Sequence, residues 1–176
     1  MSDIEGRDAA YAKNIGNNYG GVVMGYHGGP NAFHVWSIQD WAMFPNSPKV
    51  PTWVAGYNGT DEAPRSIANL KGLGISKKIT VLDMEARVDV SYVTAYGLAL
   101  QDAGYKVLVY GSRATVFRNP QLNGYLIADW TGQPHMAINP DTGDSLGVRG
   151  TQYINDVSPG YDVTRWKEWV TEEMWR

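Results

Sequence analysis

The chain has no cysteine, which removes disulfides, cysteine-ligated zinc and thiol catalysis. Charge is sparse as well: Asp, Glu, Lys and Arg make up 19% of the 176 residues and leave a net charge of −3. Nucleic-acid binders carry a basic face for phosphate, so no such partner is expected. No apolar run approaches the roughly 20 residues that span a bilayer, and no membrane partner is expected. The opening residues, Met1 to Arg7, lack the basic and apolar regions of a secretory signal. His27, His34 and His135 are too scattered for a zinc site, and Ser37, Ser112 and Ser145 lack a nucleophile-elbow context. No Gly-x-Gly-x-x-Gly turn or phosphate-binding loop marks a nucleotide site. Neither a metal nor a cofactor is expected.

Against these absences stands an excess of amphipathic aromatics: seven Trp and eleven Tyr beside three Phe. Trp and Tyr join a flat apolar face to a hydrogen-bonding edge, the complement of a sugar ring with its C–H faces and hydroxyl rim. Composition alone favours a plainer role, filling a core whose edges reach water, so position has to decide. With 43% hydrophobic residues the chain suffices for one packed domain over residues 1–176, and no repeat or linker divides it.

Strand-like and helix-like segments alternate. Gly21 to Tyr26 is an apolar strand running into the loop His27-Gly28-Gly29-Pro30. Ser37 caps a helix from Ile38 to Phe44 that Pro45 stops. Val50 to Ala55 is the next strand, and Thr60 to Ala63 opens a helix with Ile67, Leu70 and Leu73 on one face. Lys78 to Leu82 delivers Asp83-Met84-Glu85, and an amphipathic helix follows over Val90 to Ala103. Val107 to Tyr110 and Tyr125 to Asp129 are buried strands, with Ser112 capping a short helix between them. Pro134 to Gly147 is a long loop, Thr151 to Ile154 a late strand, and Thr164 to Trp175 a closing helix with Trp166, Trp169 and Val170 facing inward. The alternation predicts an α/β fold with a parallel sheet covered by helices. An eight-fold barrel takes about 250 residues, so a barrel of this length lacks some helices or is incomplete. A doubly wound sheet is the alternative.

Residues two apart in a strand share a side, which sends Asp83 and Glu85 off one strand end together, roughly 6–7 Å apart at the backbone. Paired carboxyls perturb one another, and glycoside hydrolysis needs such a pair: one protonates the leaving oxygen, one stabilises positive charge at the sugar carbon. The plain alternative is a solvated strand end with Glu85 paired to Arg87. Asp129 also ends an apolar strand at the carboxyl edge, where parallel α/β folds gather their sites, and Trp130 follows it. Tyr26, Tyr57 and Tyr110 end strands at the same edge, each beside a glycine. This grouping points to a saccharide cleft. Asp162, by contrast, reads as the N-cap of the closing helix.

Leu82-Asp83-Met84-Glu85, Tyr125 to Trp130, Gly150-Thr151-Gln152-Tyr153 and Tyr161 to Trp166, in that order, resemble the motifs of the glycoside hydrolase family 25 lysozymes. The likeness extends to family-25-like domains of actinobacteria and their phages through Gly25 to Ala32 and Val109 to Ser112, and runs from about Gly21 to Trp175. The resemblance implies an irregular TIM-like (β/α) barrel with fewer helices than strands. It implies metal-free cleavage of the β-1,4 bond after N-acetylmuramic acid in peptidoglycan. Glu85 would be the general acid/base. Asp83 and Asp129 would position the acetamido group or stabilise charge, Asp162 would be a further cleft acid, and Gln152 and Tyr153 would line the floor. Two departures stand out: Gly21 to Tyr26 carries no acid where the family has a first-strand Asp, and Thr164 replaces the Asn of the last motif. A silent cell-wall-binding module, or a structural subunit of a phage or surface assembly, would keep the same barrel. In the absence of a signal, action at the wall implies release on lysis, a virion, or another export route.

Overall fold

The computed structural model describes residues 23–45, 47–57, 61–85, 87–157, 161–167, 170 and 174. Seven strands form one sheet in chain order: β1 (Val23–Gly28), β2 (Lys49–Val54), β3 (Ile79–Asp83), β4 (Lys106–Ser112), β5 (Tyr125–Ala128), β6 (Val148–Val157) and β7 (Tyr161–Trp166). Neighbours from β1 to β6 pair in parallel, and β7 runs antiparallel to β6. The described helices are few: α1 (Ile38–Ala42), α2 (Glu62–Gly72), α3 (Val90–Asp102) and α4 (Arg113–Val116). The fold is mixed α/β, with the sheet curled into a half-barrel.

Local chemistry accounts for most of these elements. The parallel strands are near-continuous apolar runs because both of their faces are covered. Ser37 and Asp40 cap α1 reciprocally: Asp40 N–H donates to Ser37 Oγ at 3.2 Å, and Ser37 N–H donates to Asp40 Oδ2 at 2.6 Å. The Asp89 carboxylate caps α3 by accepting from Tyr92 N–H at 3.1 Å.

Alternation along the strands divides the core into two layers. Trp53, Leu82, Val107, Val109 and Ile127 face the helices, against Leu70 of α2 and Val93, Tyr96 and Leu100 of α3. Met24, Val50, Ile79, Val81, Leu108, Tyr110 and Leu126 fill the other face, together with Val170 and Met174. Val170 and Met174 are therefore part of the inner core.

Three sequence expectations differ from the structure. The sequence pattern predicts Thr164, Arg165 and Trp166 in a closing helix, whereas they form the end of β7, paired with Gln152, Thr151 and Gly150. The sheet is accordingly not parallel throughout. The β-branched Val163 and Thr164 are compatible with a strand, and pairing with β6 decides the outcome. Asp162 thus lies inside a strand and caps no helix. Val170 is buried, as an inward-facing residue should be; Trp169 lies outside the described residues.

Candidate functional site

Ile79 and Val81 of β3 belong to the inner layer, and alternation brings Asp83 to the same face one step nearer the carboxyl edge. There it sits between Val54 of β2 and Tyr110 of β4 in the ladder and is only 4% exposed. Its Oδ1 accepts from the Glu85 backbone N–H at 3.2 Å. Burial, and secondly the Glu85 carboxylate nearby, push the Asp83 pKa up to about 7. Glu85, two residues on, is exposed at the opening.

Asp83 and Glu85 share a cavity of about 260 Å³, walled by Tyr26, Tyr57, Asn31, Phe33, Val54 and Ala55. That is near the low end of ligand-pocket volumes of roughly 300–1,000 Å³, enough for one ring rather than a chain. Asn31 fixes the Gly-Gly-Pro-Asn loop over it, donating from Nδ2 to the Ala55 carbonyl at 2.8 Å. Phe33 is 85% exposed on the rim.

Tyr57 has a left-handed backbone, φ 59°, a conformation a bulky residue keeps only when its surroundings hold it. The Arg87 guanidinium lies 4.1 Å over its ring, and the Tyr92 ring is 5.8 Å away. Arg87 itself pairs with Asp89 at 2.6 Å. Beneath this loop the buried Glu62 Oε2 accepts from Trp53 Nε1 at 2.9 Å, Gly56 N–H at 3.0 Å and Tyr92 O–H at 2.7 Å. Three donors from three segments hold the Gly56–Tyr57 turn in place. Tyr57 also walls a second, mainly apolar cavity of about 480 Å³ between α2 and α3, with Tyr92 and Tyr96.

The other expected residues gather elsewhere on the edge. Tyr110 is buried, and its hydroxyl donates to Gln152 Oε1 at 2.7 Å. The same oxygen accepts from Trp130 Nε1 at 3.0 Å, while Trp130 itself remains 58% exposed. Gln152 is buried; Tyr153 is half-buried, and its carbonyl accepts from Gly132 N–H at 2.8 Å. Asp129 faces His135, whose Nε2 is 3.0 Å from Asp129 Oδ2, and Arg113, whose guanidinium is 3.6 Å away. Of the residues read from the sequence, Tyr26, Tyr57, Asp83 and Glu85 meet in one cavity. Tyr110, Trp130 and Gln152 form a hydrogen-bonded set beside it, and Asp129 lies in an ionic cluster. Asp162 is placed in β7, but its side chain is outside the described residues.

Sequence reasoning missed Asn31, Phe33, Glu62, Arg113 and His135. The Asn31 signal was available, inside the glycine-rich loop after β1. Nothing local marks Glu62 or His135, because their partners lie in other segments. Among the described residues no group of three or more His, Asp and Glu side chains is arranged to hold a metal ion, and no helix is long and apolar enough to cross a membrane.

No family model matches the chain, and no curated protein matches it. One solved structure, described as an uncharacterized B. stearothermophilus protein, is similar over 96% of this chain and 95% of its own, with a TM-score of 0.74 and 17% identity. At that identity the likeness bears on the fold alone.

Proposed function

We propose that this chain is a peptidoglycan-directed glycoside hydrolase of muramidase type, whose curled sheet is the irregular barrel of that class, with fewer helices than strands. The observation that carries the reading is the carboxyl pair: buried Asp83 beneath exposed Glu85, in one aromatic-walled cavity at the carboxyl edge of a parallel sheet.

A carboxyl with a pKa near 7 is half protonated at neutral pH, so Asp83 can hold a proton inside the site. A sugar ring entering between Tyr26, Tyr57 and Phe33 covers Glu85 and excludes water from the carboxyl pair. Asp83 passes its proton to Glu85, which donates it to the glycosidic oxygen as the bond from that oxygen to the anomeric carbon breaks. Asp83, left ionised below, stabilises the positive charge that develops at the anomeric carbon. Trp130, held by Gln152, offers a stacking face for a neighbouring ring.

The test is reducing-end release from purified actinobacterial peptidoglycan. Wild type releases reducing ends, and Glu85→Gln loses at least a hundredfold, in line with the usual contribution of a general acid. Full activity in Glu85→Gln would remove Glu85 from the mechanism. The exposed Phe33 and Trp130 also suit a wall-binding module without chemistry; no release by wild type, with wall pull-down retained, would favour that reading. Either role would have the protein act at the cell wall or on a virion.

A further inference from the structure

Glu62, the first residue of α2, is only 2% exposed and has no part in the carboxyl-pair chemistry. Any buried carboxyl has to find donors; what sets Glu62 apart is where its donors lie. Trp53 and Gly56, which donate to its Oε2 at 2.9 and 3.0 Å, bracket the segment that runs from β2 into the wall of the Asp83–Glu85 cavity. Val54 and Ala55 between them, and Tyr57 directly after, all line that cavity. The loop after β1, which supplies Asn31 and Phe33 to the same wall, is locked to this segment. Asn31 Nδ2 donates to the Ala55 carbonyl, and a Cβ on Gly56 would meet both the Pro30 ring and Glu62 Oε1. The third donor, Tyr92 O–H at 2.7 Å, ties the carboxylate to α3.

Tyr57 is the wall residue most in need of such an anchor. Its φ of 59° lies in the left-handed region, which a bulky side chain leaves when nothing holds it there. Arg87 touches the ring, but its side chain is 49% exposed and gives a soft hold. Glu62 belongs to an 11-residue helix packed on α3 and is the rigid one. Its Oε2 has the three-donor coordination of a carboxylate oxygen. An amide oxygen has two lone pairs, so glutamine at this position releases at least one donor and weakens the others.

We propose that Glu62 is a positioning residue of the ring-binding cavity: it holds Tyr57 in the left-handed turn that keeps its side chain in the wall, and so sets the affinity for the sugar ring bound beside Asp83 and Glu85. Glu62 does not line the cavity and acts through Tyr57. When the clamp is weakened, Tyr57 relaxes to ordinary backbone conformations, and only the fraction of molecules still in the turn binds the ring. This role rests on the glycan reading given above.

The experiment uses the full chain carrying Glu85→Gln, so that no turnover intrudes. Its affinity for a peptide-free peptidoglycan tetrasaccharide is measured by NMR titration, which still reads weak binding. Glu62→Gln is added with Tyr57 present and again with Tyr57→Ala. With Tyr57 present the affinity falls about tenfold, the size expected when a strained turn is released. With Tyr57→Ala the same substitution changes little, because the residue it positions is gone. Tyr92→Phe withdraws one donor, leaves Trp53 and Gly56 bonded and repeats the pattern at smaller size, so the test holds even where Glu62→Gln does not fold. An equal loss in both backgrounds would make Glu62 a support of the fold alone, and no loss in either would remove it from binding altogether; both overturn the proposal and leave the glycan reading standing. No binding by the chain that keeps Glu62 and Tyr57 would remove the glycan reading, and the positioning role with it.

Discussion

Asp83 shows at the scale of one residue how a site opposes stability. In the unfolded chain its carboxyl ionises near the usual aspartate value of about 3.9; in the fold it holds its proton to about 7. Between those values the native state binds more protons than the unfolded state, so stability falls as pH rises, and above about 7 the cost of the buried charge is present in full. Asp83→Asn removes the charge and keeps the shape. The substituted protein should therefore melt higher than wild type at pH 8, and the advantage should shrink as pH drops towards 4. Thermal denaturation at the two pH values checks this. A variant less stable than wild type at pH 8 would mean that Asp83 is stabilised as a carboxylate by partners not accounted for. The acid pair itself was legible from spacing two in a strand. The burial that separates Asp83 from Glu85 was not, since it depends on Val54 and Tyr110 from neighbouring strands.

The strands and helices carry a different kind of information. Caps, glycine stops and apolar runs announced most of them, and their bounds follow the sequence signals closely. Gly25 in β1 is informative because its role is packing and not backbone freedom: a Cβ there would stand 2.4 Å from the Trp36 ring. That ring is held at 4.7 Å from Trp41 and 5.8 Å from Phe44, so it has little room to yield. Gly25→Ala should cost about 1–3 kcal/mol of stability by overpacking, read as a lowered denaturant midpoint with unchanged slope. An unshifted midpoint would mean that the Trp36 cluster repacks freely. The misread element, β7, failed for a physical reason. A six-residue segment with aromatic ends suits either a helix turn or a strand, and its pairing with β6 decides between them.

At the scale of the whole molecule, the curled sheet leaves an inner face that no described helix from its middle covers. Val170 and Met174 fill it from the end of the chain, both essentially inaccessible. Met174→Ala should therefore cost about 2–5 kcal/mol, the usual range for truncating a buried side chain, although the residue stands third from the last position. Equilibrium unfolding of the variant checks it; a loss below about 0.5 kcal/mol would show that the tail is a surface appendage. The same curl brings the carboxyl ends of β1, β2 and β3 together, which is why Tyr26, Tyr57 and Asp83 share one cavity although 57 residues separate the first from the last.

The amino-acid sequence by itself determined the α/β class, the alternation of strands and helices along the chain, and the spacing that puts Asp83 and Glu85 together at one strand end. Each follows from periodicity, caps or spacing, which act over a few residues. Only the tertiary structure decided which residues keep water and which lose it. Asp83 is buried while Glu85 is exposed, Tyr110 is turned to Gln152, and Asp129 is engaged by Arg113 and His135. Those outcomes depend on contacts between segments distant along the chain, where desolvation and hydrogen bonding act through space and local pattern carries no record of them.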